Sequence, residues 1–142
     1  LELEANLAED LPAALCDAGQ IQQVVLALMM NAIEAMPHGG RLRLETRRHT
    51  TPDALQIVVG DDGVGIPPQL LEHIFEPFFT TKENQHRVGL GLTIARRIIE
   101  QHHGSISVVS TPQQGTVFTI VLPAAVKVGV GEGVGGHGRQ TT

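Results

Sequence analysis

The sequence predicts a two-layer α/β (α+β) sandwich, a mixed sheet with its helices on one face. Three observations carry that expectation. Apolar and polar residues alternate along Arg41–Arg48, which leaves one sheet face in water. Two longer segments place apolar residues at helical spacing. The order along the chain is strand, helix, two strands, a long connection, helix and hairpin, with no internal repeat.

Leu1–Leu7, "LELEANL", alternates and reads as a short strand. Asp17–Gln20, "DAGQ", reads as a capping box, an acid at the cap and Gln three residues on. The helix it opens should end near Met36, before Pro37 and "HGG". Ile21, Val24, Val25, Leu28, Ala32 and Ala35 share one side of it. Asn31 lies at the margin of that face, with Ala27 and Glu34 just beyond.

In the next strand Leu42, Leu44 and Thr46 point one way and Arg41, Arg43, Glu45 and Arg47 the other. Leu55–Asp61 is more apolar and expected to be more central. Alternation puts Leu55, Ile57, Val59 and Asp61 on one face and turns Asp62 away. Pro67–Val88 holds one short helical candidate, "PQLLEHIF", and is long enough to be functional or mobile. A clear helix follows in "GLGLTIARRIIEQHHG". Leu90, Ile94 and Ile98, with Ala95 and Ile99, are expected to face inward, and Gly104 is the expected C-cap. "SISVVS" and "GTVFTIVLP" close the fold as a hairpin. The glycine-rich tail, residues 126–142, is expected to be disordered.

Composition narrows the function. The 142 residues suit one domain, and 42% hydrophobic with 18% charged is globular. A net charge of −5 disfavours a nucleic-acid partner. The single cysteine, Cys16, excludes an internal disulfide and a cysteine-rich zinc site, and fits a reducing compartment. No apolar run is long enough to span a membrane, and no signal peptide is visible. The chain lacks an initial methionine and is expected to be a piece of a longer protein, cytoplasmic here whether the parent is membrane-anchored or soluble.

The chemistry gathers in four strings: "MMNAIEAM" on the first long helix, "DDGVGIP" at a strand end, "IFEPFFTTK", and "GLGLTIA" opening the last helix. The paired aspartates of the second string suit a metal site, a catalytic pair, a turn or a ligand reader. In this order and spacing the four strings resemble the catalytic, ATP-binding domain of sensor histidine kinases, in the ATPase superfamily shared by gyrase, MutL and a heat-shock chaperone. "NAIEAMP" and "FEPFFTTK" look most like the nitrogen-regulation branch. The resemblance covers nearly all of Leu1–Pro123.

That resemblance implies a Bergerat-type ATP-binding fold over residues 1–125, with a lid at about 67–88. It implies ATP and Mg²⁺ as cofactors. Asp61 matches the adenine-binding aspartate. A carboxylate only accepts hydrogen bonds, so it suits adenine's amino group and rejects guanine's keto oxygen. Asn31 matches the Mg²⁺-binding asparagine, whose one side-chain oxygen suffices when phosphates and waters complete the shell. Glu34 is either a surface residue or the holder of a metal-bound water. Ala35, Gly63, Gly65, Ile66, Gly89, Leu90, Gly91 and Leu92 fall on the family's nucleotide-binding positions. The glycines allow positive φ and close backbone approach, and the last helix offers its N-terminus to phosphate. Thr116 matches a residue that supports adenine through water, or is only a strand threonine.

Departures from the pattern are informative. Ala27 stands where many of these kinases have Asn and gyrase-like ATPases a general-base Glu, so gyrase-like hydrolysis is not expected. Arg87 replaces a frequent glycine. Arg87 and Lys82 are either phosphate contacts or solvated charges. Phe75, Phe78 and Phe79 either anchor the lid or dock a partner helix. "GEGVGG" lacks a following helix, so it is no dinucleotide site. His102–His103 lacks further metal ligands, and no P-loop sequence occurs.

The expected activity is transfer of the γ-phosphoryl group of ATP to a histidine on a separate dimerisation domain of the same parent, a homodimer, with a response regulator downstream. None of the seven histidines here sits in an acceptor context. The alternatives are an anti-sigma-type serine kinase of the same fold and a catalytically dead ATP-binding partner module. No membrane contact is expected of this fragment.

Overall fold

The structure, a computed structural model, describes residues 1–8, 16–50, 53–76 and 88–124, with residues 49–50 and 88–90 given by their backbone alone. The elements are β1 (Glu2–Leu7), α1 (Ala18–Glu34), β2 (Arg41–Thr50), β3 (Asp53–Asp61), α2 (Pro68–Leu71), α3 (Val88–Gln101), β4 (Ser105–Thr111) and β5 (Gly115–Pro123). The sheet order is β1-β2-β3-β5-β4. β1 pairs parallel with β2 across the α1 connection, and the other pairings are antiparallel. This is the mixed sheet with helices on one face that the sequence predicts.

α1 starts where the capping box places it. Asp17 is extended, and its Oδ1 accepts the Gln20 N–H at 3.0 Å. Ile21, Val24, Leu28 and Ala32 are buried, so the helical stripe meets the sheet. The helix stops at a chain reversal in which Gly39 and Gly40 both take positive φ, a region closed to most side chains.

α3 lies beside α1 and runs antiparallel to it. His102, just past α3, joins the two: its Nδ1–H donates to the Ile98 carbonyl at 2.8 Å, and its Nε2 accepts the Asp17 N–H at 3.1 Å. Two expectations need correction on α3. Leu92, Ala95, Ile98 and Ile99 are buried, but Ile94 is 42% exposed. α3 packs against both the sheet and α1, which rotates its stripe and leaves Ile94 on the groove between the helices. The left-handed residue after the helix is His103, φ 62°, rather than Gly104. The Gly104 N–H bonds the Ile99 carbonyl at 2.9 Å, closing the helix end. Gly104 is small because a Cβ there would strike the Val121 carbonyl.

The register confirms the facial reading of β2 and β3. Leu42, Leu44 and Thr46 lie opposite Asp61, Val59 and Ile57 on the helix side. β5 adds Phe118, Ile120 and Leu122 to that face. The outer face is less open than the alternation predicts. Ala54 and Val58 are buried there, and the Arg43 guanidinium lies over Gly60, where a Cβ would collide with it. β1 departs further, because all six of its residues are exposed. It is held as an edge by its ladder to β2 and by Arg41, which pairs with Glu2 and Glu4.

Phe75 anchors its segment to the core. Its ring meets Phe118 edge-on at 6.3 Å, the Arg96 guanidinium lies 5.4 Å from its centroid, and its carbonyl accepts the Thr93 hydroxyl at 3.1 Å.

Candidate functional site

The ends of α1 and β3 and the β4–β5 turn converge at one end of the sandwich. Asp61 is the last residue of β3. It is 3% exposed, and its Oδ1 accepts the Gly63 N–H at 2.8 Å. Burial raises its pKa above the usual carboxylate value, although the Gly63 and Thr116 N–H groups and the Arg43 charge oppose the shift. Asp62, on the opposite face, is exposed and forms a 2.7 Å ion pair with Arg43. Alternation thus splits the pair of acids as expected. Asp62 has a definite partner, beyond the plain turn role read from the sequence.

The segment after Asp61 is clamped from both sides. The Val64 N–H reaches the Ala35 carbonyl at 3.0 Å. A Cβ on Gly63 would collide with that same Ala35 carbonyl. Gly65 takes φ +76°, and a Cβ there would strike the Thr111 carbonyl. From the hairpin side, the Gln113 N–H donates to the Val64 carbonyl at 2.7 Å. The glycines therefore serve close packing on α1 and the hairpin as much as any approach to a ligand. Thr116 faces Asp61 in the β3–β5 register and is 4% exposed. Ile66 packs against the core.

Asn31 is half-buried on α1, one turn before Ala35 and one turn after Ala27. Ala27 lines a shallow cleft between the helices, together with Gln23, Val24, Gly91, Ile94, Ala95 and Ile98. This cleft does not include the Asp61 cluster. A Cβ added to Gly91 would meet nothing within 4 Å among the described residues, so α3 is open at that position. Leu92 turns inward, 1% exposed. Gly89 and Leu90 lie in the first turn of α3. Glu34 ends α1, half-buried. Lys82, Arg87, Phe78, Phe79 and the 126–142 tail lie outside the described residues.

These groups suit a nucleotide. A buried acceptor carboxylate matches an amino-bearing base, and a helix N-terminus matches phosphate. No group of three or more His, Cys, Asp or Glu side chains able to hold a metal occurs among the described residues. The Asn31 amide oxygen is of the kind that ligates a hard cation such as Mg²⁺, whose shell is commonly completed by phosphates and water.

Two contributors escaped the sequence reading. Arg43 acts on Asp61 through its charge, which opposes the rise in the Asp61 pKa, and a partner so distant in sequence leaves no local signal. Ser110 bonds both the Ile66 N–H, at 2.7 Å, and the Thr116 hydroxyl, at 2.8 Å. Its signal was present: in "SISVVS" it follows Ile106 and Val108 on the inward face, a polar residue in a core position.

Known proteins share this fold. The family described as histidine kinase-, DNA gyrase B- and HSP90-like ATPase matches residues 16–126. Sporulation kinase E of Bacillus subtilis is 39% identical over 123 residues, 87% of this chain and 16% of that protein. Sensory histidine kinase/phosphatase NtrB of Rhodobacter capsulatus is 44% identical over 128 residues, 82% of this chain and 35% of that protein. Among solved structures, the catalytic domain of histidine kinase ThkA superposes with a TM-score of 0.74 at 32% identity, covering 87% of this chain and 80% of that one. Full-length ShkA in complex with AMPPNP gives 0.77 at 28% identity, covering 89% of this chain and 26% of that one. The chain spans only 15% to 32% of the length of the first three curated relatives. No helix among the described residues is long and apolar enough to cross a membrane. Fold, site and relatives place the chain in the histidine kinase-, DNA gyrase B- and HSP90-like ATPase family, as an ATP-binding catalytic domain of the sensor histidine kinase kind.

Proposed function

We propose that this domain binds Mg·ATP and passes the γ-phosphoryl group to an imidazole nitrogen of a histidine on a separate helical dimerisation domain of its parent, a homodimer that then serves a response regulator. The observation that carries the reading is Asp61. A carboxylate that is raised in pKa by burial, yet held by two backbone N–H groups, is costly to fold. A ligand that donates to it explains why it is kept.

Asp61 accepts from the exocyclic amine of adenine, and Thr116 beside it supports the same edge. Ala35, Gly63, Gly65 and Ile66 shape the wall around the base. Gly89, Leu90, Gly91 and Leu92 turn the start of α3 toward the phosphates. Asn31 holds Mg²⁺ through its side-chain oxygen, and that cation, when bound, neutralises charge on the phosphates. Glu34 holds a water near it. Lys82 and Arg87 supply positive charge to the transferring group. Ala27 offers no base to activate water, which favours transfer over hydrolysis. The protein groups thus chiefly position the reactants and stabilise charge. We also place the parent nearest the nitrogen-regulation kinases, on "NAIEAMP" and "FEPFFTTK" and on the similarity to NtrB.

Calorimetry with Mg·ATP and Mg·GTP tests the binding step. ATP should bind preferentially, and Asp61→Ala should cost roughly 1.5–3 kcal/mol, the worth of a hydrogen bond to a charged group. Equal binding of both nucleotides, or unchanged ATP binding in the variant, would refute the adenine reader. Labelled ATP and the parent's histidine-bearing domain test the transfer. An acid-labile, base-stable phosphoprotein is expected. Acid-stable label would show a serine kinase instead, and no label a binding module. The domain alone should bind ATP and hardly phosphorylate itself.

A further inference from the structure

Ser110 sits where three chain segments meet. Its Oγ lies 2.7 Å from the Ile66 nitrogen, 3.1 Å from the Gly115 carbonyl oxygen and 2.8 Å from the Thr116 Oγ1. A serine hydroxyl has one hydrogen to give and two lone pairs to fill. The Gly115 carbonyl can only accept, so it takes the hydrogen. The Ile66 N–H can only donate, so it fills one lone pair. The Thr116 hydroxyl must then donate into the second. With its only hydrogen spent on Ser110, Thr116 can offer nothing but lone pairs to whatever lies beside it. Its register partner Asp61 is equally an acceptor, already holding the Gly63 N–H.

We infer that Ser110 is a positioning residue that sets base specificity by locking Thr116 as a hydrogen-bond acceptor, so that the base end of the site has an accepting edge. The inference rests on the reading of Asp61 as the adenine contact and deepens it. An edge of that polarity fits the two hydrogens of a 6-amino purine. One goes to Asp61, and the other reaches Thr116 directly or through a water that relays it in the same sense. A 6-oxo purine turns a lone pair toward the same edge and is repelled. Ser110 never touches the nucleotide in this scheme. It acts through the direction of one hydroxyl hydrogen.

The test is the ratio of the affinities for Mg·ATP and Mg·ITP, which differ at the 6-position, measured by calorimetry on the domain. The unchanged chain should prefer ATP. Ser110→Ala releases the Thr116 hydrogen, which can then turn to the 6-oxo group, and the preference should fall about tenfold. Ser110→Thr keeps the hydroxyl and should restore it. A role limited to holding Ile66 would weaken both nucleotides alike and leave the ratio unmoved, which overturns the inference while the adenine reading stands. Should Ser110→Ala fail to fold, Thr116→Val serves, because it deletes the acceptor and should also lower the ratio. An unmoved ratio there overturns the inference equally. If the unchanged chain binds ATP and ITP alike, both this inference and the Asp61 reading fall.

Discussion

Asp61 shows how a single side chain can be set against the fold that holds it. Its raised pKa means that the native state holds a proton more tightly than the unfolded chain does. Its contribution to stability is therefore full below the unfolded value of 3.8 and is lost as pH rises through the higher folded pKa. Binding runs the other way, because only the ionised carboxylate accepts freely, so ATP affinity should fall as pH drops through that same folded pKa. Asp61→Asn removes the charge and nearly keeps the shape. Denaturant titration at neutral pH should find this variant at least as stable as the parent, while calorimetry finds ATP binding strongly reduced and its dependence on pH through this range lost. Joint loss of stability and binding would mean that the carboxylate is structural. Asp62 has the opposite character: it is exposed, paired with Arg43, and outside the cluster.

At the scale of elements, short-range physics decides the ends and long-range packing decides the faces. The α1 cap is local: one Asp Oδ1 accepting the N–H of Gln20. Asp17→Ala should cost about 1 kcal/mol in urea unfolding, with an unchanged m value. A loss near zero would mean that the His102 contact alone holds that end. Such local signals explain what was legible in the sequence. The capping box, the alternation that separates Asp61 from Asp62, and the turn glycines all act within a few residues. What the sequence concealed depends on partners far along the chain. Ile94 is displaced from the core because α3 must satisfy α1 as well as the sheet. His103 takes the left-handed position because Gly104 is needed against Val121. Val58 is buried on a face that alternation alone gives to water.

At the scale of the whole molecule, the division of labour is by position. The ends of α1, β3 and β4 and the start of β5 come to one end of the sandwich, so the Asp61 cluster draws on four elements and on the core that joins them. β1 is the exception. It sits at the margin of the sheet, leaves all six side chains exposed, and rests on a parallel ladder to β2 and exposed ion pairs. The other edge strand, β4, packs Ile106 and Val108 against the core. Local opening follows the amount of apolar surface that must be uncovered. In hydrogen–deuterium exchange the β1 amides should therefore exchange by fraying, well ahead of β3 and β5, whose amides wait for global unfolding. ATP should slow exchange around Asp61 and Thr116 and leave β1 unaffected. The strand that begins the chain would then be a detachable margin, able to peel from the sheet and re-anneal while the nucleotide stays bound.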